Sequence, residues 1–391
     1  MNNTPRGERI HIGIFGKRNA GKSSLLNAIT GQDTAVVSPV PGTTTDPVYK
    51  AMELLPVGPV VLIDTPGIDD VGELGDLRIE KAKNILRKTD IALLTVDSGE
   101  ELTDYDKALI RAFDETGIKY VIVYTKSDLV KNEAPDGINV SSATGENIHE
   151  LKEKIAEMIA MEDEPGRLVA DLLHPGDVVV LVIPIDASAP KGRLILPQQQ
   201  VIRDALEAEA ILVATQTQTL ADTFAKLKDP PKLVITDSQA FAEVSKMTPD
   251  SIGLTSFSIL MARYKGVLKD AAHCAQTIDT IKDGDKILIA EGCTHHRQCE
   301  DIGTVKIPKW IKQRTGATPE YEFSSGGGFP TDLSAFKLII HCGGCMQNPR
   351  EMRFRQRAAH AAGVPMTNYG IAISYMQGIL ERCIAPFDGV L

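Results

Sequence analysis

The sequence predicts an α/β protein whose first domain holds a mainly parallel, doubly wound sheet, followed by two smaller α/β domains. Short apolar segments rich in β-branched residues alternate with helical stretches over the first 165 residues, which is the pattern of parallel strands joined by helices. Residues 162–167 are acidic and contain Pro165 and Gly166, as is typical of a linker. The length of 391 residues suits two or three domains at roughly 150 residues each.

The elements of the first domain can be placed in order from these patterns. Strands are expected at residues 10–15, 60–63, 91–96 and 120–124, and helices at 23–30, 76–88 and 103–115. Ligands of such sheets bind at the carboxyl ends of the strands. The polar segments that follow the strands are therefore the first places to expect a site.

The rest of the chain divides into two smaller predicted units. The middle one carries expected strands at 178–185, 211–215 and 233–236, expected helices at 197–210 and 220–227, and no cysteine. The last one begins with helical periodicity over 259–281, continues with a strand at 286–290, and contains all six cysteines. The predicted domains are 1–165, 166–256 and 257–391, and no internal sequence repeat is apparent.

Composition excludes several classes of protein. The chain has 42 Lys and Arg against 52 Asp and Glu, a net charge of −10, which argues against a general nucleic-acid binder. No apolar run of about 18 residues and no apolar signal segment at the N-terminus are present. We therefore expect a soluble cytoplasmic protein that binds neither nucleic acid nor a membrane. Six cysteines are too few for a disulfide scaffold.

Residues 16–23, GKRNAGKS, match the phosphate-binding pattern G-x-x-x-x-G-K-[ST] between a predicted strand and a predicted helix. Glycines let the backbone N–H groups approach phosphates, and the helix N-terminus favours anions. This context disfavours the alternative of a chance glycine-rich turn. Lys22 is expected to contact the β- and γ-phosphates, and Ser23 to ligate Mg²⁺. The loop residues expected at the nucleotide are Asn19, Ala20, Gly21, Lys22, Ser23 and Ser24.

Three further polar segments follow strands in the order that a GTP site requires. Asp64, in DTPG, can hold Mg²⁺ through water, and the Gly67 N–H can sense a γ-phosphate. Asp128, in TKSD, can accept two hydrogen bonds from guanine N1 and N2, a donor pair that adenine lacks. Each segment alone could be an ordinary turn, but together they predict GTP or GDP binding. The residues expected at the base are Thr125, Lys126, Asp128, Ser141, Ser142 and Ala143.

This set of motifs resembles the translation-factor-like GTPases, and within them the Era/MnmE-type group. Residues 41–46, PGTTTD, resemble the first switch segment of that group, which implies that Thr44 is the second Mg²⁺ ligand in the GTP state. The resemblance also implies catalytic roles for Lys22, Thr44 and Gly67. Asn19 matches a loop asparagine that marks a K⁺-dependent site in this group; the alternative is an ordinary loop residue. Ile68 stands where Ras-like GTPases have a water-orienting glutamine, so hydrolysis needs another arrangement of groups or is slow.

The cysteines are concentrated in two loops that each follow a predicted strand. Cys293 begins CTHH after KILIA, and Cys342 and Cys345 lie in HCGGC after FKLII, so the two loops could meet. Three thiolates with one open or non-thiolate position suit a 4Fe–4S cluster, whereas a zinc site would favour a second close C-x-x-C pair. Cys299 is an alternative thiolate. The candidate non-thiolate ligands, which could equally be core or supporting groups, are His295, His296, Glu300 and His341.

The pattern C-x-H, 45 residues, H-C-x-x-C resembles the signature of the HydF family, the GTPases of iron–iron hydrogenase maturation. The resemblance implies three domains, for GTP hydrolysis, dimerisation and cluster binding. It also implies a homodimeric scaffold or carrier that assembles the di-iron subcluster precursor and delivers it to the apo iron–iron hydrogenase. Two radical-SAM maturases would be its other partners.

One alternative function remains open. It is a regulatory GTPase of tRNA or ribosome maturation with a structural zinc site, and the acidic composition counts against it.

The other cysteines and a run of arginines are expected to have ordinary structural roles. Cys274 and Cys383 are expected to be buried packing residues. Arg350, Arg353, Arg355 and Arg357 form a basic run that is expected to be a solvated helical face, with an anion contact or an acidic partner as the alternative.

Overall fold

The computed structural model describes residues 6–31, 47–65, 85–131, 136–160, 168–185, 194–292, 301–326, 328–387 and 389. The chain forms two compact units, Met1–Glu164 and Pro165–Leu391. The division of the second unit at residue 256 stays a prediction, and one apolar core runs through that unit from Leu168 to Phe387.

The first unit contains a six-stranded sheet of order β2-β3-β1-β4-β5-β6. The β2–β3 pair is antiparallel, and the other pairs are parallel. The strands are β1 (Ile10–Phe15), β2 (Val48–Leu54), β3 (Gly58–Asp64), β4 (Ile91–Asp97), β5 (Lys119–Thr125) and β6 (Gly137–Asn139). The helices with described bounds are α1 (Lys22–Thr30), α2 (Asp104–Thr116) and α3 (Ile148–Ala160).

The central strands of this sheet are buried on both faces. Along β3, Val60 and Leu62 pack into one core with α1, whereas Val61 and Ile63 pack into a second core with α2. Alternation of this kind follows from the two-residue period of a strand, and it places helices on both sides. The predicted fold class is confirmed. The edge strand β2 was not predicted, because its half-exposed sequence VYKAMEL lacks an apolar run.

The second unit contains two four-stranded sheets, of order β10-β9-β7-β8 and β12-β11-β13-β14, in which every pair is parallel. Counted along the chain, both sheets have the order second, first, third, fourth, so one topology occurs twice without a visible sequence repeat. The strands are β7 (Val178–Val182), β8 (Ile211–Thr215), β9 (Leu233–Thr236), β10 (Gly253–Ser256), β11 (Lys286–Glu291), β12 (Glu320–Ser325), β13 (Leu338–His341) and β14 (Met366–Asn368).

The helices of this unit cover the two sheets and meet in the shared core. They are α4 (Leu196–Glu207), α5 (Leu220–Lys226), α6 (Phe241–Met247), α7 (Phe257–Tyr264), α8 (Leu268–Cys274), α9 (Ile307–Thr315), α10 (Pro349–Ala361), α11 (Tyr369–Met376) and α12 (Leu380–Ile384). A π-helical turn at Ile302–Lys306 precedes α9, and a 3₁₀ helix at Ala275–Thr280 follows α8. Among the described residues, no helix is long and apolar enough to cross a membrane.

Two predicted elements differ from those observed. The helix expected over 259–281 is broken into α7, α8 and the 3₁₀ helix, because Gly266 adopts φ 73° and ends the first helical segment. The strand expected over 178–185 ends at Val182, two residues before Pro184, which has no N–H for a sheet.

Candidate nucleotide site and cysteine loop

The phosphate-binding loop connects β1 to α1. It depends on two glycines whose φ angles are positive. Gly16 has φ 140° and Gly21 has φ 82°. A Cβ on Gly16 would lie 2.3 Å from the Thr95 carbonyl oxygen, and one on Gly21 would lie 3.1 Å from Thr125 Oγ1. The loop therefore packs against the ends of β4 and β5 at a distance that only glycine allows at residue 16.

The Lys22 ammonium lies over this loop. Lys22 is 7% exposed, and its Nζ donates to the carbonyl oxygen of Gly16 at 2.9 Å and to that of Lys17. The cation is thus held among loop carbonyls at the N-terminus of α1, where a phosphate group could serve as its acceptor.

Ser23 and Asp64 form the part of the site that suits a metal ion. The Ser23 hydroxyl donates to Asp64 Oδ2 at 2.7 Å, across the gap between α1 and the end of β3. Asp64 is 5% exposed, and its Oδ1 has no hydrogen-bond partner among the described residues. Burial raises the pKa of Asp64, although the Ser23 hydrogen bond and the Lys22 charge oppose that rise. A half-buried hydroxyl next to a buried carboxylate with an unsatisfied oxygen fits Mg²⁺, which prefers oxygen ligands.

The base-binding segment after β5 is tied to both the phosphate loop and the segment after β6. Thr125 Oγ1 donates to the Ala20 carbonyl oxygen at 2.8 Å. Buried Ser141 donates through its hydroxyl to Asp128 Oδ1 at 2.6 Å, while Asp128 itself is exposed. The hydrogen bond leaves the second carboxylate oxygen of Asp128 available to a base and fixes the direction of the group.

Lys126 has a partner that the sequence did not single out. Lys126 adopts φ 60°, and its Nζ lies 2.6 Å from Asp97 Oδ2 at the end of β4. The Lys126 hydrogen bond and a backbone N–H from Gly99 lower the pKa of Asp97 against the effect of burial. The only sequence signal for Asp97 was its position after an apolar strand.

The remaining predicted nucleotide residues fall into two groups. Asn19 is exposed with φ 61°, Ser24 and Ser142 are half-buried, and Ala143 is exposed. Thr44 and Gly67, with the predicted switch segment and Ile68, lie outside the described residues. The structure therefore brings together the phosphate loop, Asp64 and the base-binding segments.

The cysteine loop, residues 342–345, follows β13 at the point where the strand order of the last sheet reverses. β12 lies on one side of β11, and β13 lies on the other, which is the arrangement that creates a crevice at the carboxyl ends. The Cys342 N–H donates to the Ala290 carbonyl oxygen at 2.8 Å. Cys342 Sγ accepts hydrogen bonds from the N–H of Gly292 at 3.1 Å and of Gly344 at 3.4 Å.

The turn between Cys342 and Cys345 has a specific glycine requirement. Gly344 has φ 64°, and a Cβ there would lie 2.7 Å from Met352 Sδ. Burial raises the pKa of the Cys345 thiol, and the ammonium of Lys265 opposes that rise. Lys265 is 1% exposed and donates to the Gln347 carbonyl oxygen at 2.6 Å. The loop thus has a buried cation and backbone N–H groups next to its sulfurs.

His341 is buried, and both of its ring nitrogens have partners. Nδ1 lies 2.7 Å from the Cys342 carbonyl oxygen, and Nε2 lies 2.9 Å from Arg355 Nη1. Burial and the Arg355 charge lower the pKa of His341 to about 3, so the ring is neutral. Arg355 is 1% exposed, so the interpretation of the basic run as a solvated face is wrong for this residue.

The other half of the cysteine constellation is outside the described residues. This applies to Cys293, His295, His296, Cys299 and Glu300. Within the described part of the chain, no group of three or more His, Cys, Asp or Glu side chains is arranged to hold a metal ion. Cys383 is fully buried, as expected, and burial raises its thiol pKa to about 12; Cys274 is half-buried.

Two GTPases are similar to part of the chain. The tRNA modification GTPase MnmE of Nitrosospira multiformis is 32% identical over 169 residues, which cover 41% of this chain and 37% of that protein. The GTPase Der of Wolinella succinogenes is 34% identical over 168 residues, which cover 38% of this chain and 36% of that protein. The chain thus spans little more than a third of the length of these relatives. The crystal structure of Aquifex aeolicus Era bound to GDP and aluminium fluoride aligns at 21% identity and a TM-score of 0.34, over 55% of this chain and 97% of that one.

Three protein families match successive parts of the chain. Residues 11–126 match the family described as 50S ribosome-binding GTPase, and together with the phosphate loop and Asp128 this match defines the protein as a P-loop GTPase. Residues 168–266 match the hydrogen maturase F dimerization domain, and residues 269–386 match the hydrogen maturase F tetramerization domain. The chain belongs to the hydrogen maturase F (HydF) family, which confirms the resemblance seen in the sequence. Both C-terminal matches indicate self-association.

Proposed function

We propose that this chain is a GTP-hydrolysing iron–sulfur scaffold that assembles the di-iron subcluster precursor of iron–iron hydrogenase and delivers it to the apo-enzyme. The observation that carries the proposal is the 3.1 Å hydrogen bond from the Gly292 N–H to Cys342 Sγ. Gly292 immediately precedes Cys293 in the sequence. The residue before Cys293 therefore contacts the loop that holds Cys342 and Cys345.

The described residues fit a 4Fe–4S cluster. Backbone N–H groups directed at sulfur favour the thiolate that iron requires, and Cys342 Sγ accepts two of them. Cys293, Cys342 and Cys345 would hold the cluster, with Glu300 or His295 as the fourth ligand. His341 is left out of this ligand set because both of its nitrogens have other partners. A bound cluster of this type would supply a one-electron couple and an exchangeable iron position.

In the GTPase unit, the roles of Lys22, Ser23, Asp64 and Asn19 are supported by their places in the phosphate loop and at the end of β3, and those of Thr44, Gly67 and Ile68 by the sequence motifs alone. Lys22 and the loop N–H groups bind the phosphates, and Ser23 with Asp64 holds Mg²⁺, joined by Thr44 in the GTP state. Asn19 holds K⁺ beside the phosphates, where a cation would stabilise the charge that develops in the transition state. Gly67 senses the γ-phosphate. With Ile68 at the position of the Ras glutamine, hydrolysis is slow and K⁺-stimulated.

Self-association uses the edge of the β10-β9-β7-β8 sheet. β8 is its terminal strand among the described residues, and all five of its side chains are exposed or half-buried. A parallel strand with an open edge can pair with a second copy, as the match to a dimerization domain indicates. We infer a homodimer in the cytoplasm, with the apo iron–iron hydrogenase and two radical-SAM maturases as partners and no nucleic acid or membrane.

The cluster part of the proposal is tested by anaerobic reconstitution of the full chain with iron and sulfide. We expect about four irons per chain and an EPR signal of a reduced 4Fe–4S cluster. Cys293→Ala, Cys342→Ala and Cys345→Ala should each remove the signal, whereas Cys274→Ala, outside the loops, should keep it. Stoichiometric zinc after anaerobic purification would contradict the proposal and favour a structural metal site. The proposal would also be contradicted if the triple cysteine variant bound as much iron as wild type.

The delivery role requires a separate experiment. Protein isolated from cells that contain the radical-SAM maturases should activate apo iron–iron hydrogenase in a purified mixture. Protein with Cys342→Ala should not. Activation by the maturases alone, without this chain, would refute a carrier role while leaving the cluster assignment intact.

A further inference from the structure

Arg355 is an unusual member of the basic run on α10 because its guanidinium is fully buried. Arg355 Nε donates to Glu351 Oε1 at 2.8 Å, and Nη2 donates to the Gly326 carbonyl oxygen at 2.9 Å. The guanidinium carbon lies 4.9 Å from the centre of the Phe329 ring. One side chain therefore joins α10 to the segment after β12. The same side chain also reaches the end of β13 through His341.

The Arg355–His341 contact decides where the histidine proton is. An arginine side chain has only donors, so Nε2 of His341 must accept from Arg355 Nη1 at 2.9 Å. The single proton of the neutral ring is then on Nδ1, which donates to the Cys342 carbonyl oxygen at 2.7 Å. The opposite tautomer would place two N–H groups face to face in a buried site.

We propose that Arg355 is a positioning residue for the cysteine loop: it fixes His341 as the Nδ1–H tautomer, and that ring fixes the Cys342 peptide and the direction of its thiolate. The inference rests on the proposed function only where it concerns the cluster. In this arrangement His341 orients Cys342 through the hydrogen bond to its carbonyl oxygen and is not itself an iron ligand.

The supporting chain begins one turn earlier on α10. Glu351 is 5% exposed and pairs with Arg355, and its N–H donates to the Asn348 side chain at the N-terminus of the helix. Partners of this kind behind a metal ligand commonly change metal affinity about 10- to 100-fold when they are removed. Arg357, two residues further on, is exposed and offers a control on the same helix.

The tautomer is tested first in the cluster-free full chain, labelled with ¹⁵N-histidine, of which there are eight residues. We expect the His341 signals to show a single neutral tautomer, with the proton on Nδ1. In the double variant Glu351→Gln/Arg355→Met, which removes both buried charges together, the His341 signals should show both tautomers, and Arg357→Met should match wild type. Wild-type nitrogen shifts of the Nε2–H form, or unchanged shifts in the double variant, would overturn the proposal.

The effect on the loop is tested after anaerobic reconstitution with iron and sulfide. The double variant should lose iron to a chelator about tenfold faster than wild type, and its midpoint potential should move further than that of Arg357→Met. Arg355→Lys should recover the iron retention only in part, because lysine cannot make the three directed contacts at once. Iron loss and potential equal to wild type in the double variant would refute the positioning role.

The two proposals fail in different ways. If wild type takes up no iron–sulfur cluster, the proposed function is wrong, while the histidine signals still decide whether Arg355 fixes His341. If wild type takes up the cluster and the double variant behaves identically, only the positioning role is wrong. Circular dichroism and thermal unfolding of the cluster-free chain serve as folding controls for every variant.

Discussion

The Ser23 hydroxyl donates a 2.7 Å hydrogen bond to Asp64 Oδ2, joining the first turn of α1 to the last residue of β3. The two residues are 41 positions apart in the chain and meet because β1 and β3 are parallel neighbours. The other oxygen of Asp64 is buried and has no partner among the described residues. A carboxylate in this situation costs stability unless a cation is present, and we expect that cost to be measurable.

Asp64→Asn should stabilise the metal-free protein while it abolishes Mg²⁺-dependent GTP hydrolysis. The amide keeps the Ser23 contact and removes the buried charge, so the free energy of unfolding should rise by about 1 kcal/mol. With EDTA present, this corresponds to roughly fivefold slower hydrogen exchange of the backbone amides in β1 and β3. Asp97→Asn, which removes the charge of a half-exposed carboxylate that is paired with Lys126, should give no such gain.

The gain from Asp64→Asn should depend on pH in a defined direction. Burial raises the pKa of Asp64 in the folded chain, so protonation favours folding. The cost of the charged form is present in full at neutral pH and disappears as the pH falls through the raised pKa and then the unfolded value. Wild type and variant should therefore converge in acid, and a gain that grows with acidity would contradict this account.

Asp128→Asn should change base selectivity. The carboxylate accepts from guanine N1 and N2, and its replacement should weaken GTP binding by about 2 kcal/mol. Xanthosine triphosphate has a carbonyl where guanine has its amino group, and the new amide can donate to it, so its binding should improve. Competition binding with both nucleotides measures the change, and an unaltered preference would show that Asp128 does not read the base.

Ser141→Ala should weaken GTP binding without changing selectivity. The Ser141 hydroxyl directs Asp128 through a 2.6 Å hydrogen bond, and its loss should cost about 1 kcal/mol. Thr144→Ala removes a neighbouring hydroxyl that accepts from the Glu146 N–H, and it should leave binding unchanged. Equal affinities for wild type and Ser141→Ala would mean that Asp128 is held by other contacts.

GTP hydrolysis should be faster in K⁺ than in Na⁺ at the same ionic strength. Asn19 is exposed with a left-handed backbone in the phosphate loop, where its side chain can reach a cation beside the phosphates. Asn19→Ala should reduce the K⁺ rate to the Na⁺ rate. Equal rates in both salts for wild type would remove the K⁺ site from the proposal.

Ala214→Pro should weaken self-association. The Ile211 N–H donates to the Asp177 carbonyl oxygen and the Thr215 carbonyl oxygen accepts from the Ile183 N–H, at the two ends of β7. The alternate residues, Leu212 and Ala214, therefore direct their backbone groups to the open edge. Proline at 214 removes one of these edge donors and leaves the β7 pairing intact. Light scattering should show smaller assemblies than for Ala214→Thr, which keeps the N–H. Unchanged assembly would place the interface elsewhere.

Local sequence patterns were sufficient to predict most strands and helices of the first unit and the positions of the cysteine loops in the sequence. The loop after β1 favours glycine at residue 16 for its φ of 140° alone, and Cys342 and Cys345 are recognisable from their spacing. Gly266 and Pro184 also carried local information, which the periodicity of their surroundings concealed. Strand β2 had no such signal, because an edge strand with half-exposed side chains needs no apolar run.

The sequence by itself determined the α/β class, the order of the GTPase motifs and the restriction of the cysteines to the last third of the chain. It did so because these features depend on residue type, short spacing and strand–helix alternation. Only the tertiary structure decided that Ser23 meets Asp64, that Gly292 meets Cys342, and that Arg355 is buried against His341. These pairs depend on which strands become neighbours and which helix face is covered, and neither is encoded within a few residues of any of them.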